Sequence, residues 1–515
     1  MLRGYDNGFG FLETFSNIKN AASPYLGIIA DTVKDAIPRV VDTEQQYWIY
    51  KGELPSFKST VVGTVDALST VHPNYLLVAA TFIASFFILY IKMKYPFWNQ
   101  IPAMHVYDWH RRYLYSEKPY IIHILPKKTK YYEPASNLST IVSNNSELRK
   151  NQTQKPNIIE THRFRNISPE RQNEIAKLLQ NHYLPSDRVF CSVQLPDLAA
   201  QCADAMVSTY HLHLFESDVI EGFITSRKIN TSISVGIGAE RYIVNEHANY
   251  IDYLCFNPKL SSQQKIRSLF HTHEYNERMI LSDRNITLFK KEVELCDAIV
   301  PLVEYDSLSF YLRYNIEPPK LSSKFRIVRI QRENLRHLHD WMERVASLAE
   351  DMTNSMRGGG GQTSSFRVSI TAEIGDLIHL LQTNQMFAYA LKGPDIDVST
   401  KLDTVYAMYF FRNAHMKYED LDGGDTLHAT CAFSNTNDFE LYFLGFVWSL
   451  REARKDFSGT ETKMLMIDDI GHLRGIAKKW QETHDVILRT KCAYYFCNYV
   501  VPRSPYNSEN VNILL

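Results

Sequence analysis

Net charge is almost absent from this sequence: 56 Lys and Arg stand against 57 Asp and Glu, a formal net of −1. A chain so balanced has no general pull toward polyanions, and no nucleic-acid partner is expected. Paired cysteines are also missing. The seven present are scattered, odd in number and without CxxC spacing. In a chain far too long to need disulfide staples they read as reduced thiols of a cytosolic compartment. No GxxxxGK[ST] or GxGxxG run occurs, which excludes the phosphate loops built on those patterns. His211 and His213 alternate on one strand, and His271 and His273 sit beside Glu274, but neither set has further ligands at metal spacing, so no metal is assigned. The acidic pair in Ile467-Asp468-Asp469-Ile470 reads as a strand end. The start, Met1-Leu2-Arg3-Gly4, opens neither a secretory apolar run nor a Met-Gly lipidation signal.

What is present is apolar substance, 45% hydrophobic and 12% aromatic over 515 residues. That is more than one core uses, so two or more folded units are expected. One long uncharged run, residues 75–91, would make a helix of roughly 26 Å, at the short end of what spans a bilayer. Tyr75 and Tyr90 flank it, and Lys92, Lys94, Arg111 and Arg112 follow. The positive flank predicts a single-pass membrane helix with residues 1–74 on the far or interfacial side and the bulk cytosolic; a buried core helix is the alternative. Residues 92–126 form a juxtamembrane segment and 127–156 a polar linker. From 157 on, helical and strand periods alternate. Ser168 to Leu179 reads as a helix opening with an N-cap, Pro169 and Glu170. Tyr210 to Phe215, Val219 to Thr225 and Asn249 to Phe256 read as strands, and a helix of about thirteen residues follows from Ser261. A Gly-rich tether, 351–366 with Gly358 to Ser365 at its heart, separates the half 157–350 from a second half, 367–515. The latter reads as helix Ala372 to Gln382, strands Thr404 to Phe411 and His428 to Ser434, and helix Phe439 to Arg454. An α/β body of two repeated units is the predicted architecture.

Four segments, in order, resemble the N-myristoyltransferase family. They are Tyr95-Pro96-Phe97-Trp98-Asn99-Gln100-Ile101-Pro102, Glu221-Gly222-Phe223-Ile224, Asp252-Tyr253-Leu254-Cys255-Phe256-Asn257-Pro258-Lys259-Leu260, and Tyr494-Tyr495-Phe496-Cys497-Asn498-Tyr499 with the final Val511-Asn512-Ile513-Leu514-Leu515. The resemblance implies two tandem acetyltransferase-like (GNAT-like) halves. It also implies transfer of a myristoyl group from myristoyl-CoA, as co-substrate, to the N-terminal glycine amine of target proteins.

Such a transfer needs hydrogen-bond donors aimed at the developing oxyanion and a base for the amine. The resemblance places the donors in the backbone amides of Tyr253 and Leu254, at a strand bulge, and the base in the C-terminal carboxylate of Leu515. It assigns acyl-CoA contacts to Tyr95, Phe97, Trp98, Cys255, Ser261, Ser262, Gln263, Gln264, Lys265 and Ile266. Taken alone, Tyr95, Phe97 and Trp98 read as an aromatic belt, and 252–256 as an ordinary core strand. The sequence departs from the family where an Arg-Ser-Lys-Arg run is replaced by Ser261-Ser262-Gln263-Gln264. It departs again at Val300-Pro301-Leu302-Val303, near the expected amine site, and at Pro185-Ser186-Asp187-Arg188, a shortened acidic loop. A catalytically inactive membrane scaffold is therefore the second reading, and an acetyltransferase-like enzyme acting on small amines the third.

Overall fold

The structure, a computed structural model, describes residues 73–95, 102–108, 118–122, 158–184, 189–214, 217–235, 242–280, 286–312, 318–339, 367–396, 403–419, 424–457 and 462–515. Phe97, Trp98, the stretch 1–72, the polar linker, the Gly-rich tether and Pro185 to Arg188 lie outside them. Contacts divide the chain into Leu2–Lys94 and a body, Tyr95–Leu515.

In the first unit the apolar run forms helix α1, Pro73–Lys94, of 22 residues. Phe82, Ile83, Phe86, Phe87 and Leu89 on it are all exposed. The side chains of 73–77 and of Ala80 are not described. Among the described residues no helix is long and apolar enough to cross a membrane. The helix is thus found where the sequence places one, and the expectation that it spans a bilayer is not supported.

The body is built on one fifteen-stranded sheet and a separate two-stranded one. Its first half comprises β1 (Tyr120–Ile121), β2 (Ile158–Arg163), α2 (Pro169–His182), β3 (Val189–Cys191), α3 (Leu195–Gln201), β4 (Met206–Leu214), β5 (Ser217–Val235), β6 (Tyr242–Phe256), α4 (Gln263–Ile280), β7 (Thr287–Glu292), β8 (Val303–Tyr311) and β9 (Arg326–Arg329). The second comprises β10 (Val368–Ala372), α5 (Ile374–Gln382), β11 (Met386–Ile396), β12 (Asp403–Tyr418), β13 (Asp425–Ser434), α6 (Phe439–Asp456), β14 (Thr462–Asp468), α7 (Leu473–Gln481), β15 (Val486–Cys497), β16 (Tyr499–Val500) and β17 (Val511–Leu514). Ser168 takes the N-cap backbone of α2 with Pro169 in the first turn, but its hydroxyl makes no cap hydrogen bond. Asp438 does cap α6, accepting from the Leu441 amide at 3.0 Å. Helix α4 begins at Gln263 and runs 18 residues, longer than its sequence pattern indicated.

The strand order is β17-β10-β5-β6-β7-β15-β8-β14-β13-β12-β11-β9, with β2, β3 and β4 paired off this path. The halves exchange strands. β8 of the first lies between β15 and β14 of the second, and β10 of the second lies on β5 of the first. Each half contains the same unit, a strand, a crossover helix and a parallel strand: β6-α4-β7 and β13-α6-β14. In each, the parallel pairing stops where the first strand bulges. β6 leaves β7 after Ile251 and Phe289, and there Asp252 and Tyr253 together oppose Thr225 of β5. β13 leaves β14 after Ala429 and Ile467, and Thr430 is the extra residue against β12. An added residue bends its strand and turns its amides. The repeat therefore yields two forks. Beside the second runs β17, whose Asn512 Oδ1 accepts from Cys431 Sγ at 3.1 Å and whose Leu514 joins the core of that half.

Candidate functional site

The open fork of the first half positions everything that follows. In a ladder, successive amides point to alternate edges. The Asn249 amide points toward β7, donating to Ile286 O at 2.9 Å, and the Asn257 amide points toward β5, donating to Glu221 O at 2.8 Å. Between them the bulge shifts the alternation by one. The amides of Leu254 and Phe256 consequently face the fork, while that of Tyr253 faces β5 and donates to Thr225 Oγ1 at 3.3 Å. Tyr253, assigned with Leu254 as a donor pair, thus has its amide engaged on the β5 side, and the amides that alternation turns outward are those of Leu254 and Phe256. Tyr253 instead donates its hydroxyl to Gln201 Oε1 at 2.6 Å and meets Tyr183 edge-on. Cys255 points into the core beneath α2, its thiol directed at Leu178 O, so its side chain is not at the fork. Gly222, opposite Phe256, is required by the close approach of that ring.

Helix α4 starts at the end of the fork, where a helix N-terminus offers free amides to an anion. Ser262 caps it, its hydroxyl accepting from the Lys265 amide at 3.3 Å. Ser262, Gln263 and Gln264 are exposed, whereas Ile266 is buried and Ser261 donates to Pro258 O. Lys265 does not supply a free cation. Its ammonium donates to Glu221 Oε2 at 3.1 Å and Leu260 O at 2.8 Å, and lies over the Tyr210 ring. Glu221 is wholly buried, so Lys265 compensates it rather than facing a ligand. The amides fit a phosphate; the Lys265 charge does not add to them. Tyr95, before the segment with Phe97 and Trp98, donates to Asp297 Oδ2 at 3.2 Å.

On the sheet face away from α6 and α7, the fork is flanked by two ion pairs that the sequence did not indicate. Arg227 and Asp252 meet at 2.8 Å on the β6 side. Lys290 and Glu292 meet at 2.7 Å on the β7 side. Burial works against the Lys290 charge, but Glu292 and neighbouring groups hold its pKa well above the usual value. Lys290 in turn lowers the Glu292 carboxyl, and Glu292 stays 46% exposed. Between the pairs runs a row of tyrosines. Tyr250 and Tyr494 are 6.2 Å apart, and Tyr494 stacks on Tyr305 at 5.9 Å. Leu515 is buried in the same cluster. Its place on the ladder, one step past the Leu514 to Thr371 pair, is level with Ala248, four residues before Asp252. Val300 to Val303, the expected neighbourhood of the amine, instead carries Leu302 and Val303 into this core; Lys290 to Glu292 flank the fork.

Beyond Tyr305 the face is polar. Asp468 Oδ2 lies 3.1 Å from His428 Nε2, so the acidic pair has a histidine, brought from a neighbouring strand. Burial lowers His428 against the pull of Asp468, and works to raise Asp468, whose carboxyl His428 and then Lys290 nonetheless hold well below its usual value. Among the described residues Thr426 Oγ1 is buried there without a hydrogen-bond partner. Groups of this kind are rare in native cores and mark positions for water or ligand. His273 bridges Ser208 and Ser226 at 2.8 and 2.9 Å, and burial pushes it down to about 3. His211 pairs with Thr209, and the His213 side chain is not described.

No family model and no curated protein sequence matches the chain. Solved structures do. Saccharomyces cerevisiae N-myristoyltransferase with bound myristoyl-CoA is 10% identical with a TM-score of 0.54, over 82% of this chain and 99% of that one. A second structure of that complex gives 10%, 0.55, 82% and 94%. The same enzyme with myristoyl-CoA and inhibitors gives 11%, 0.53, 81% and 92%. At such identity the likeness concerns architecture alone: the body has an N-myristoyltransferase-like fold.

Proposed function

We propose that the chain transfers a long-chain acyl group, myristoyl in the first instance, from acyl-CoA to the N-terminal glycine amine of a protein. The observation that carries this reading is the open first fork, with the outward amides of Leu254 and Phe256 on β6 and the capped start of α4 following that strand. A thioester carbonyl lying between β6 and β7 would meet donors on the developing oxyanion, each worth roughly 2.7–4 kcal/mol in comparable sites. The amine nitrogen attacks that carbonyl, the C–N bond forms, and the C–S bond breaks to release CoA as thiolate. An α-amino group titrates near 8, so about a tenth is neutral at pH 7 and a base is needed. Glu292, lowered by Lys290, is a poor one. The Leu515 carboxylate, set among apolar and aromatic side chains, is assigned the role.

The inactive-scaffold reading is favoured by one observation, the commitment of Lys265 to Glu221. Calorimetric titration of the full chain with myristoyl-CoA and with acetyl-CoA separates the readings. Micromolar binding of the first alone supports the long-chain acyltransferase. Binding of neither supports the scaffold, and preference for the second supports a small-amine acetyltransferase.

Attachment to a membrane, with the body on the cytosolic side, belongs to the same proposal and rests on the exposed apolar side chains of α1. Full-length protein should float with phosphatidylcholine vesicles and protein lacking residues 73–94 should not. Equal flotation of the two removes the idea.

A further inference from the structure

Among the described residues, strand β15 has one edge that the rest of the sheet leaves open. On one side it pairs with β8 from Val486 onward; on the other, β7 covers it only from Cys492. β7 ends because the chain turns away at Val293, whose φ is 69°. The Glu294 amide bonds back to Glu292 O at 2.9 Å, closing a three-residue turn of the strained hand around a β-branched residue. The Val293 amide takes the Lys491 carbonyl at 2.9 Å. By alternation, the next outward-facing main-chain groups are the N–H and C=O of Arg489, which have no strand beside them among the described residues. The Arg489 side chain is held elsewhere, on Asp306 at 3.0 Å and Gln481 at 3.3 Å. Ile487 and Leu488 are exposed, and a bulge at Ile487 limits the usable stretch to Leu488–Thr490.

We infer that this edge receives the acyl acceptor as a short added strand, an extended N-terminal peptide running in line with β7. The inference rests on the acyltransferase reading and names its acceptor class. The position is continuous with the fork: past the last parallel pair, Ile251 with Phe289, Leu254 and Glu292 are each three residues further along their strands, on either side of the opening. A peptide lying antiparallel to β15 enters beside Val293, past the exposed Glu292 carboxylate, and its N-terminal residue continues into the fork. Its backbone pairs with Arg489, and its alternate side chains pass Ile487 and Leu488 on the two faces. Pairing through main chain accepts many sequences, with specificity left to the side-chain positions.

The test is binding of a heptapeptide with a free N-terminal glycine and a C-terminal fluorescein, measured by anisotropy on the full chain with and without myristoyl-CoA. A set of the same peptide carries one backbone ester in place of an amide at each position. Esters at one or two positions should weaken binding about fivefold or more, the others less than about twofold. Arg489→Pro, which removes an outward N–H and no bond to β8, should weaken the all-amide peptide similarly. Arg489→Ala, which keeps that N–H, should not. Uniform effects of the esters, equal binding by the Pro and Ala variants, or no binding to the unaltered chain overturns the inference. Peptide bound with the predicted ester pattern but never acylated sinks the acyltransferase reading and leaves the strand in place.

Discussion

Arg227→Met is the perturbation with the best-defined consequence. The 2.8 Å contact between Arg227 and Asp252 puts two charges roughly 4 Å apart, about 4 kcal/mol at an effective dielectric near 20. Both side chains are largely buried, at 8% and 15% exposure, so removing one partner strands the other. Loss of one member of such a pair costs about 3–5 kcal/mol. Its pH dependence follows from Asp252, whose carboxyl burial raises above 3.8 while Arg227 pulls it down without fully offsetting burial. A carboxyl raised in the folded state holds its proton more tightly there. Its share of stability is present below pH 3.8 and is lost as pH rises through the folded pKa. Without Arg227 that pKa rises further, and the penalty grows toward neutrality. Urea unfolding followed by tryptophan fluorescence should show Arg227→Met losing about 3–5 kcal/mol at pH 7 and less at pH 5. Adding Asp252→Asn should restore most of the loss. Equal destabilisation of single and double variants at pH 7 would refute the reasoning.

Three further outcomes are expected. Gly222→Ala places a methyl 2.5 Å from Cε1 and Cζ of Phe256; overpacking costs about 1–3 kcal/mol. Because the Phe256 amide faces the fork, acyl transfer should fall by more than the thermal midpoint implies, and unaltered turnover would remove Phe256 from the site. The Glu160 carboxyl is lowered to about 2, by its His162 hydrogen bond foremost and by His211 and Arg171, against burial. A depressed carboxyl contributes stability above 4.5 that is lost as pH falls through 2. Discounted for its 31% exposure, Glu160→Gln should cost about 1 kcal/mol at pH 5 and nothing at pH 2 in an acid titration. Asp468→Asn removes the anion beside His428 and Lys290, so it should weaken peptide binding while sparing donor binding, read by separate titrations.

The order of segments made much of the architecture legible. The strand at 249–256, the helix after Ser262, the repeated second unit and the apolar final strand all carry local periodicity. Other features depend on where a neighbouring strand stops. Nothing in Ile286 to Glu292 announces that β7 leaves β6 after Phe289, so Lys290 and Glu292 carried no signal as flanking residues. One extra residue at Asp252 and Tyr253 reverses which amides face outward, and so turns Tyr253 away while admitting Phe256. Lys265 looked available because its partner, Glu221, lies 44 residues earlier in the chain. His428 and Asp468 were separated in the same way, joined only when β13 and β14 lie side by side.

Turnover of labelled myristoyl-CoA with a glycine-starting peptide, compared between the full chain and the chain extended by two residues after Leu515, tests the central claim most directly. The account predicts transfer by the unaltered chain and a loss of about a hundredfold or more on extension, roughly one proton-transfer contribution, with donor binding retained. Undiminished turnover by the extended, folded chain would contradict it.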